Sequence, residues 1–309
     1  MLIIDSIEGF HEIEGPIGLS MGTFDGLHIG HQQLIENLTT HCEEEGYRSV
    51  VYTYSNHPRE YTLGTKVPRI ITLEDKISLF DELGVDILVL LKFDELQRDM
   101  SPNQFLKELL FDPLDIRYVT VGFDFHFGKR AGGNVELLRS YTKDKDVVLD
   151  IVSPIARYEE KVSSTRIRNL LFEGNLTTVN ELLGRRYSFT GEVVHGKHVG
   201  KLLGFPTANL QVDETMNLIK SGVYISMVKL GKTYYPSVTN IGFNPTFNQK
   251  ELNVETFILD FDENLYGRKI KVEFVKRLRD ELKFDSKDAL IEQMHRDIEI
   301  ANTYFQFTS

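Results

Sequence analysis

The chain has 309 residues, of which 41% are apolar and 26% charged, as in an ordinary globular protein long enough for two domains. Its formal net charge of -11 argues against nucleic acid as a partner, because binding a phosphate backbone requires surplus lysine and arginine. The single cysteine, Cys42, excludes an intramolecular disulfide and a thiolate metal cluster. The sequence shows neither a signal-peptide pattern nor a run of about 18 apolar residues, so we expect no membrane span and a cytoplasmic protein.

The first half of the sequence alternates short apolar runs with helical patterns. Predicted strands cover residues 17–21, 49–54, 87–91, 118–121 and 147–151, and predicted helices cover 30–45, 73–83, 101–110 and 135–144. Two short helices, 165–173 and 176–183, close this half. Such alternation predicts a parallel sheet with right-handed crossovers, in which ligands bind at the carboxyl ends of the strands.

After residue 184 the pattern changes to strands. They are predicted at 187–194, 222–230, 233–240, 253–261 and 269–276, with Gly231 and Lys232 forming a two-residue turn. A helix over 286–304 follows. We therefore predict an α/β half followed by an antiparallel sheet closed into a small barrel, with domains 1–184 and 185–309.

A histidine pair lies where the first predicted strand leads into a helix. His28 and His31 are three residues apart, so they share one face of the first helical turn. Unsatisfied N–H groups and the positive end of the helix dipole make such a turn an anion site, and imidazoles add donors. Gly22 and Gly30 leave room for a nucleotide to approach the backbone. The alternative is a pair of surface histidines.

A second phosphate-binding candidate lies near the end of the first half. In the segment 161–168, the hydroxyls of Ser164 and Thr165 can cap a helix, and Arg168 offers a forked donor to phosphate oxygens. The alternative is a plain helix cap with solvated arginines.

The second half contains a glycine-rich segment, 195–209, that follows a predicted strand and is not a Walker loop. Gly196, Gly200 and Gly204 would let backbone amides wrap a phosphate chain. Thr207 and Asn209 lie two apart on an extended segment, so their oxygens share a face and are candidate Mg²⁺ ligands. The alternative is a glycine-rich hairpin without a ligand.

Glu255 is the candidate general base of this half. It lies inside a predicted strand whose neighbours Val254 and Phe257 are apolar, so its carboxylate is expected to be partly desolvated. The alternative is an ordinary strand glutamate at the surface.

These motifs resemble a known family. Residues 22–31, Gly-Thr-Phe-Asp-Gly-Leu-His-Ile-Gly-His, are similar to the H-x-G-H nucleotidyltransferase signature of bacterial bifunctional riboflavin kinase/FAD synthetases, and Pro206-Thr-Ala-Asn209 resembles the riboflavin kinase hallmark. The resemblance implies a Rossmann-like nucleotidyltransferase domain before a riboflavin kinase barrel. It implies His28, His31 and Glu255 as catalytic residues and Thr207 and Asn209 as metal ligands. The nucleotide-binding residues it implies are Gly22, Phe24, Asp25, Gly30, Asp124, Ser164, Thr165, Arg168, Gly196, Gly200, Lys201, Gly204 and Pro206.

One segment departs from the family pattern. Residues 122–128, Gly-Phe-Asp-Phe-His-Phe-Gly, are similar to a family segment that contacts nucleotide or flavin, and Asp124 fits a polar contact there. His126, however, stands where arginine is usual, which leaves the role of this position open.

The resemblance implies two reactions that use ATP and Mg²⁺. Riboflavin would be phosphorylated to FMN, and FMN would then be adenylylated to FAD with release of pyrophosphate. The expected partners are riboflavin, FMN, FAD and ATP, with no nucleic acid or membrane, in a monomer or weak homo-oligomer. Two alternatives remain: a riboflavin kinase with a degenerate N-terminal half, and a non-catalytic flavin or nucleotide sensor.

Overall fold

The structure, a computed structural model, describes residues 1–196, 203–216, 219–245 and 250–308. The chain divides into two compact units. The first comprises Met1–Val67 and Leu73–Ser163, and the second comprises Pro68–Thr72 and Ser164–Ser309. The predicted domains 1–184 and 185–309 stay a prediction, and we describe each unit by itself.

The first unit contains a six-stranded parallel sheet, as the alternation of strands and helices predicts. Its strand order is β1-β4-β3-β2-β5-β8, and every neighbouring pair runs parallel. The strands are β1 (Leu2–Ile4), β2 (Ile17–Met21), β3 (Arg48–Tyr54), β4 (Ile87–Leu91), β5 (Ile116–Gly122) and β8 (Val148–Val152). Strand β1 is not predicted from the sequence, because a three-residue strand is too short to show periodicity.

Two short hairpins complete the strands of this unit. One pairs β6 (His126–Phe127) with β7 (Gly133–Asn134), and the other pairs β9 (Ala156–Arg157) with β10 (Glu160–Lys161). Both hairpins follow strands whose carboxyl ends lie at the same edge of the sheet.

Helices connect the parallel strands. They are α1 (Ile29–Glu45), α2 (Pro58–Leu63), α3 (Leu73–Glu82), α4 (Glu95–Asp99), α5 (Pro102–Gln104), a π-helix (Phe105–Phe111) and α6 (Val135–Thr142). Helix α1 ends at Gly46, whose φ of 71° is left-handed, and Ser101 forms a capping box with Gln104 at the start of α5. Residues 105–111 are π-helical, although the sequence pattern predicts one continuous α-helix there.

The second unit contains the predicted barrel. Six antiparallel strands close in the order β11-β12-β15-β14-β13-β16. They are β11 (Tyr187–Val194), β12 (Ala208–Gln211), β13 (Gly222–Leu230), β14 (Thr233–Pro245), β15 (Lys250–Ile258) and β16 (Lys269–Arg279), followed by a terminal helix (Lys287–Thr308). The predicted turn joins β13 to β14, with Gly231 at a φ of 62°. Strand β12 was missed, because its four residues follow a segment rich in glycine and proline.

Helices α7 (Ser164–Glu173) and α8 (Leu176–Leu183) pack with the barrel. Asn180 of α8 contacts the barrel through its carboxamide, which donates to the Phe274 carbonyl at 3.0 Å and accepts from the Tyr187 N–H at 2.7 Å. This bridge satisfies backbone groups of β11 and β16 and ties α8 to the barrel.

Four buried hydroxyls form a chain inside the barrel. Ser226 lies 2.8 Å from the hydroxyl of Ser237 and 2.7 Å from that of Thr239, which lies 2.9 Å from that of Thr256. All four side chains are fully buried, so each requires a hydrogen-bond partner. The chain runs across β13, β14 and β15 and favours one register among these strands, since a slip would separate the hydroxyls.

No helix in the part of the chain that the structure describes is long and apolar enough to span a membrane.

Cys42 is predicted to resist modification in the folded protein. Its side chain is 2% exposed, and burial raises the pKa of its thiol to about 11. Because the thiolate is the reactive form, we expect a disulfide reagent at about pH 8 to modify native Cys42 at least about 100-fold more slowly than the chain unfolded in guanidinium. Equal rates in the two states would contradict the burial of this thiol.

Candidate active sites

The loop 22–28 joins β2 to α1 at the predicted anion site, and we call it the phosphate loop. Its backbone follows an unusual path. It leaves β2 after Met21 and passes through Phe24 and Leu27, whose φ angles of 47° and 39° are left-handed. Both side chains are buried, at 1% and 0% exposure, so packing holds a conformation that these residues rarely adopt. Helix α1 then begins at Ile29.

His28 is the N-cap of α1, and its ring stacks on that of His31. The ring centroids are 3.7 Å apart, and the backbone N–H of His31 donates to Nδ1 of His28 at 3.3 Å. Because Nδ1 accepts this bond, a neutral His28 ring carries its proton on Nε2. The histidine pair therefore lies at the positive end of the helix dipole, as the spacing predicts.

Gly22 and Gly30 make room for protein rings. A Cβ on Gly30 would lie 3.2 Å from Cε1 of His28, and a Cβ on Gly22 would lie 3.2 Å from the ring of Phe24. Phe24 in turn packs edge-on against His31, with centroids 5.2 Å apart. These two glycines allow the close packing of the loop. The roles of Gly22, Gly30, Phe24 and the buried Asp25 in nucleotide binding stay predictions.

Lys76 contacts this loop and is not predicted as a site residue from the sequence. It is only 7% exposed, and its Nζ donates to the Thr23 carbonyl at 2.7 Å and to Oγ1 of Thr53 at 2.8 Å. A signal was present, because Lys76 lies between Leu73 and Phe80 at helical spacing, on the apolar stripe of α3.

The segment after β5 leaves the sheet beside the end of β2, since these two strands are neighbours. Asp124 is exposed and pairs with Lys161, whose Nζ lies 4.5 Å from the centre of the Phe123 ring. His126 is also exposed, and its Nδ1 donates to the Asp124 carbonyl at 2.8 Å. In place of the arginine usual in the family, this position has a side chain that closes its own turn.

The predicted second element of the nucleotidyltransferase signature, residues 161–168, is divided between the units, because Lys161–Ser163 belongs to the first and Ser164–Arg168 to the second. Helix α7 begins at Ser164, one residue before the predicted start, so Ser164 and Thr165 both lie in its first turn. Nε of Arg168 donates to the carbonyl of Pro68 at 3.0 Å, within the same unit.

Two kinase candidates of the barrel, Asn209 and Glu255, lie on adjacent strands. Asn209 on β12 is opposite Glu255 on β15, and Glu255 is opposite Asn240 on β14. Residues directly opposite one another project from the same face of a sheet. Glu255 is half-buried, and Oε1 accepts a hydrogen bond from Nδ2 of Asn253 at 2.9 Å.

A cavity of about 270 Å³ opens onto this row. Glu255, Asn240 and Thr207 line one part, whereas the terminal helix contributes Met294 and Ile298. The cavity therefore combines an apolar wall with a carboxylate, an amide and a hydroxyl, as a pocket for a planar apolar group with a polar tail requires.

Arg279 and Asp297 join the wall of this cavity to the barrel. Arg279 donates from Nε at 2.9 Å and from Nη2 at 2.6 Å to the two carboxylate oxygens of Asp297, which is 3% exposed and also accepts from Gln293 at 2.9 Å. Breaking such a buried pair costs about 3–5 kcal/mol. The sequence alone does not predict this pair. The one signal is that Asp297 falls on the apolar stripe of the terminal helix.

The glycine-rich segment is described in part, since Gly200 and Lys201 lie outside the described residues. A Cβ on Gly196 would lie 2.4 Å from the carboxamide of Asn209, and Gly204 has a left-handed φ of 87° that favours glycine. Pro206 is exposed, whereas its neighbour Phe205 is buried against Phe257 and His295. Phe205 thereby holds the segment that carries Thr207.

The residues fit a hard cation. No group of three histidine, cysteine, aspartate or glutamate side chains that could hold a metal occurs in the described ranges. The hydroxyl of Thr207 and the carboxamide of Asn209 are oxygen donors of the kind that Mg²⁺ accepts together with phosphate and water. The absence of a side chain at Gly196 leaves room for the carboxamide of Asn209 against the backbone.

Comparison with known proteins supports the family resemblance in both halves of the chain. A family model described as FAD synthetase matches residues 11–166, and one described as riboflavin kinase matches residues 183–305. The bifunctional riboflavin kinase/FMN adenylyltransferase of Haemophilus influenzae is 32% identical over 307 residues, covering 99% of each chain. The protein of that name from Bacillus subtilis is 34% identical over 292 residues, covering 93% of this chain and 92% of that one.

A solved structure has the same fold over the whole chain. It is described as a macrolide-efflux protein from Streptococcus pneumoniae, has a TM-score of 0.88 and 29% identity, and matches 98% of this chain and 99% of its own. The two family models and the curated relatives agree with one another on flavin chemistry. The chain belongs to the family of bifunctional riboflavin kinase/FMN adenylyltransferases.

Proposed function

We propose that this protein phosphorylates riboflavin with ATP to give FMN and then adenylylates FMN with a second ATP to give FAD and pyrophosphate. The observation that carries this conclusion is the match of both family models, in series, to the two halves of one chain. A kinase with a degenerate first half is disfavoured, because the histidine pair is present and stacked at the start of α1.

The kinase step begins from a poor nucleophile. The 5′-hydroxyl of riboflavin must lose its proton as it attacks the γ-phosphorus of ATP, and ADP leaves. We assign the general base to Glu255, since its half-buried carboxylate lines the cavity beside Thr207 and Asn240. The apolar wall from the terminal helix supports placement of the flavin ring in that cavity.

Magnesium is the cation that we propose for this step, held by Thr207 and Asn209. When bound, it neutralises phosphate charge. The two side chains would orient it, and the glycine-rich segment containing Gly196, Gly200, Lys201, Gly204 and Pro206 would hold the phosphate chain.

The adenylyltransferase step needs no general base. The phosphate of FMN has a second pKa near roughly 6, so it is largely ionised at neutral pH and attacks the α-phosphorus directly as pyrophosphate leaves. We assign His28 and His31 to stabilising the charge that develops on the phosphate oxygens. Ser164, Thr165 and Arg168 are proposed as further phosphate donors, and Asp124 as a polar contact.

We further propose a domain boundary at residue 184, a cytoplasmic location, and a monomer or weak homo-oligomer.

Replacing Glu255 should separate the two activities. We expect Glu255→Gln to lower the rate of riboflavin phosphorylation by about 100- to 10,000-fold, because the general base is lost. Conversion of supplied FMN to FAD should be unchanged, as measured by chromatography of the flavins. Glu192→Gln is the matched control, since Glu192 is an exposed glutamate on strand β11. Equal loss of both activities in folded protein would contradict separate sites.

Replacing His28 should stop the pathway at FMN. His28→Asn retains a good N-cap residue, so α1 should persist while the imidazole is lost. We expect FAD formation from FMN to fall by about 100- to 1,000-fold, the usual effect of removing one transition-state donor. Riboflavin phosphorylation is the internal control, and His11→Asn controls for loss of an exposed histidine. Normal FAD synthesis by His28→Asn would refute the assignment.

Replacing a proposed cation ligand should change the metal requirement of the kinase step alone. Thr207→Val removes the hydroxyl at nearly constant shape, and we expect about a tenfold higher Mg²⁺ concentration for half-maximal riboflavin phosphorylation. Thr207→Ser, which keeps the hydroxyl, should behave like the unmodified protein. A metal requirement that is the same for Thr207→Val and Thr207→Ser would remove Thr207 from the ligand set.

A further inference from the structure

Lys76 is a buried lysine that none of the assigned roles uses. Its Nζ donates to the Thr23 carbonyl at 2.7 Å, to Oγ1 of Thr53 at 2.8 Å and to the Tyr54 carbonyl at 3.4 Å. Thr23 belongs to the phosphate loop, whereas Thr53 and Tyr54 form the end of β3. One ammonium group therefore ties the loop to the sheet.

The packing of α3 does not require an amine at this position. Ile77 and Phe80 lie on the same helix and pack in the hydrophobic core, where an apolar residue beside them would serve equally. Burying an ammonium group costs several kcal/mol unless hydrogen bonds compensate. What the amine adds over an apolar side chain is its hold on the three oxygens.

The loop that Lys76 holds is strained. Thr23 immediately precedes Phe24, whose φ is 47°, and such a backbone persists only when its surroundings fix it. The Thr23 carbonyl accepts from Lys76 and, at 3.3 Å, from the hydroxyl of Thr53. Fixing this carbonyl fixes the peptide that leads to Phe24, whose ring contacts His31.

We propose that Lys76 is a positioning residue of the adenylyltransferase site. It acts through Thr23 and Phe24 to hold the phosphate loop and the histidine pair in the arrangement that receives the phosphates of ATP. This inference rests on the proposed FMN adenylyltransferase activity, and it assigns Lys76 no contact with the substrate.

The test compares Lys76→Met with Lys107→Met in the full chain. Lys107 is an exposed lysine of the same unit and serves as the control. For Lys76→Met we expect the KM for ATP in FAD synthesis from FMN to rise about 10- to 100-fold, as for loss of charge-assisted hydrogen bonds. Riboflavin phosphorylation by the same polypeptide, and all rates of Lys107→Met, should be unchanged.

A purely structural role gives a different result. It would lower kcat in proportion to the folded fraction, with the thermal midpoint reduced and the KM for ATP unchanged, and that outcome would overturn the proposal. If Lys76→Met does not fold, Thr53→Val replaces it, because this variant removes one acceptor of Lys76 and one donor to Thr23. For Thr53→Val we expect a smaller rise in the KM for ATP. Thr53→Ser, which keeps the hydroxyl, should have the KM of the unmodified protein. An unchanged KM in Thr53→Val would overturn the proposal.

The proposed function has its own readout in the same experiment. Failure of the unmodified protein to form FAD and pyrophosphate from FMN and ATP would refute the adenylyltransferase activity itself. FAD formation by the unmodified protein with an unaltered KM in folded Lys76→Met would refute only the positioning role.

Discussion

Strand register, fixed by backbone hydrogen bonds, is the constraint on which both candidate sites depend. In the parallel sheet, β2 lies between β3 and β5, so the loop after Met21 leaves the sheet beside the segments that follow its two neighbours. In the barrel, antiparallel pairing places Asn209, Glu255 and Asn240 in one row across three strands. A slip of one residue would turn Glu255 from the cavity into the barrel interior, where the buried hydroxyl of Thr256 now lies. Catalytic geometry therefore follows from backbone pairing before any side chain contributes.

The acidic charge of the protein makes phosphate recognition a local problem. A net charge of -11 repels nucleotides at long range, so each site must offer its own donors. In our proposal the first unit uses a helix start, where the dipole is positive and His28 caps the first turn. For the second unit we propose a glycine-rich segment combined with Thr207 and Asn209 as oxygen ligands of a cation. The two solutions suit two reactions, since an ionised phosphate needs only stabilisation of developing charge, whereas a hydroxyl also needs a base such as Glu255.

The sequence predicts the main elements well because hydrophobic periodicity reports burial directly. The parallel sheet, the barrel, the end of α1 at Gly46 and the turn at Gly231 all agree with the structure. The short strands β1 and β12 escape prediction, because three or four residues carry no period. Lys76 and Asp297 escape for another reason. Each charged residue interrupts an apolar stripe, and the sequence cannot identify its partner, since Thr23 lies 53 residues before Lys76 and Arg279 lies 18 residues before Asp297.

The burial of Lys76 and that of Asp297 have the same physical explanation. A buried charge is costly, and an apolar residue at either position would extend the stripe of its helix. What the charge contributes is direction, because an ammonium group or a carboxylate favours one arrangement of its hydrogen-bond partners whereas an apolar contact tolerates several. Lys76 orients a loop whose backbone is strained, and Asp297 fixes the helix that forms the cavity wall. Lys76 lies next to the loop proposed to bind ATP, and Asp297 lines the cavity proposed to bind riboflavin. We propose that the free energy of ordering these segments is met during folding, so that binding of ATP or riboflavin need not supply it.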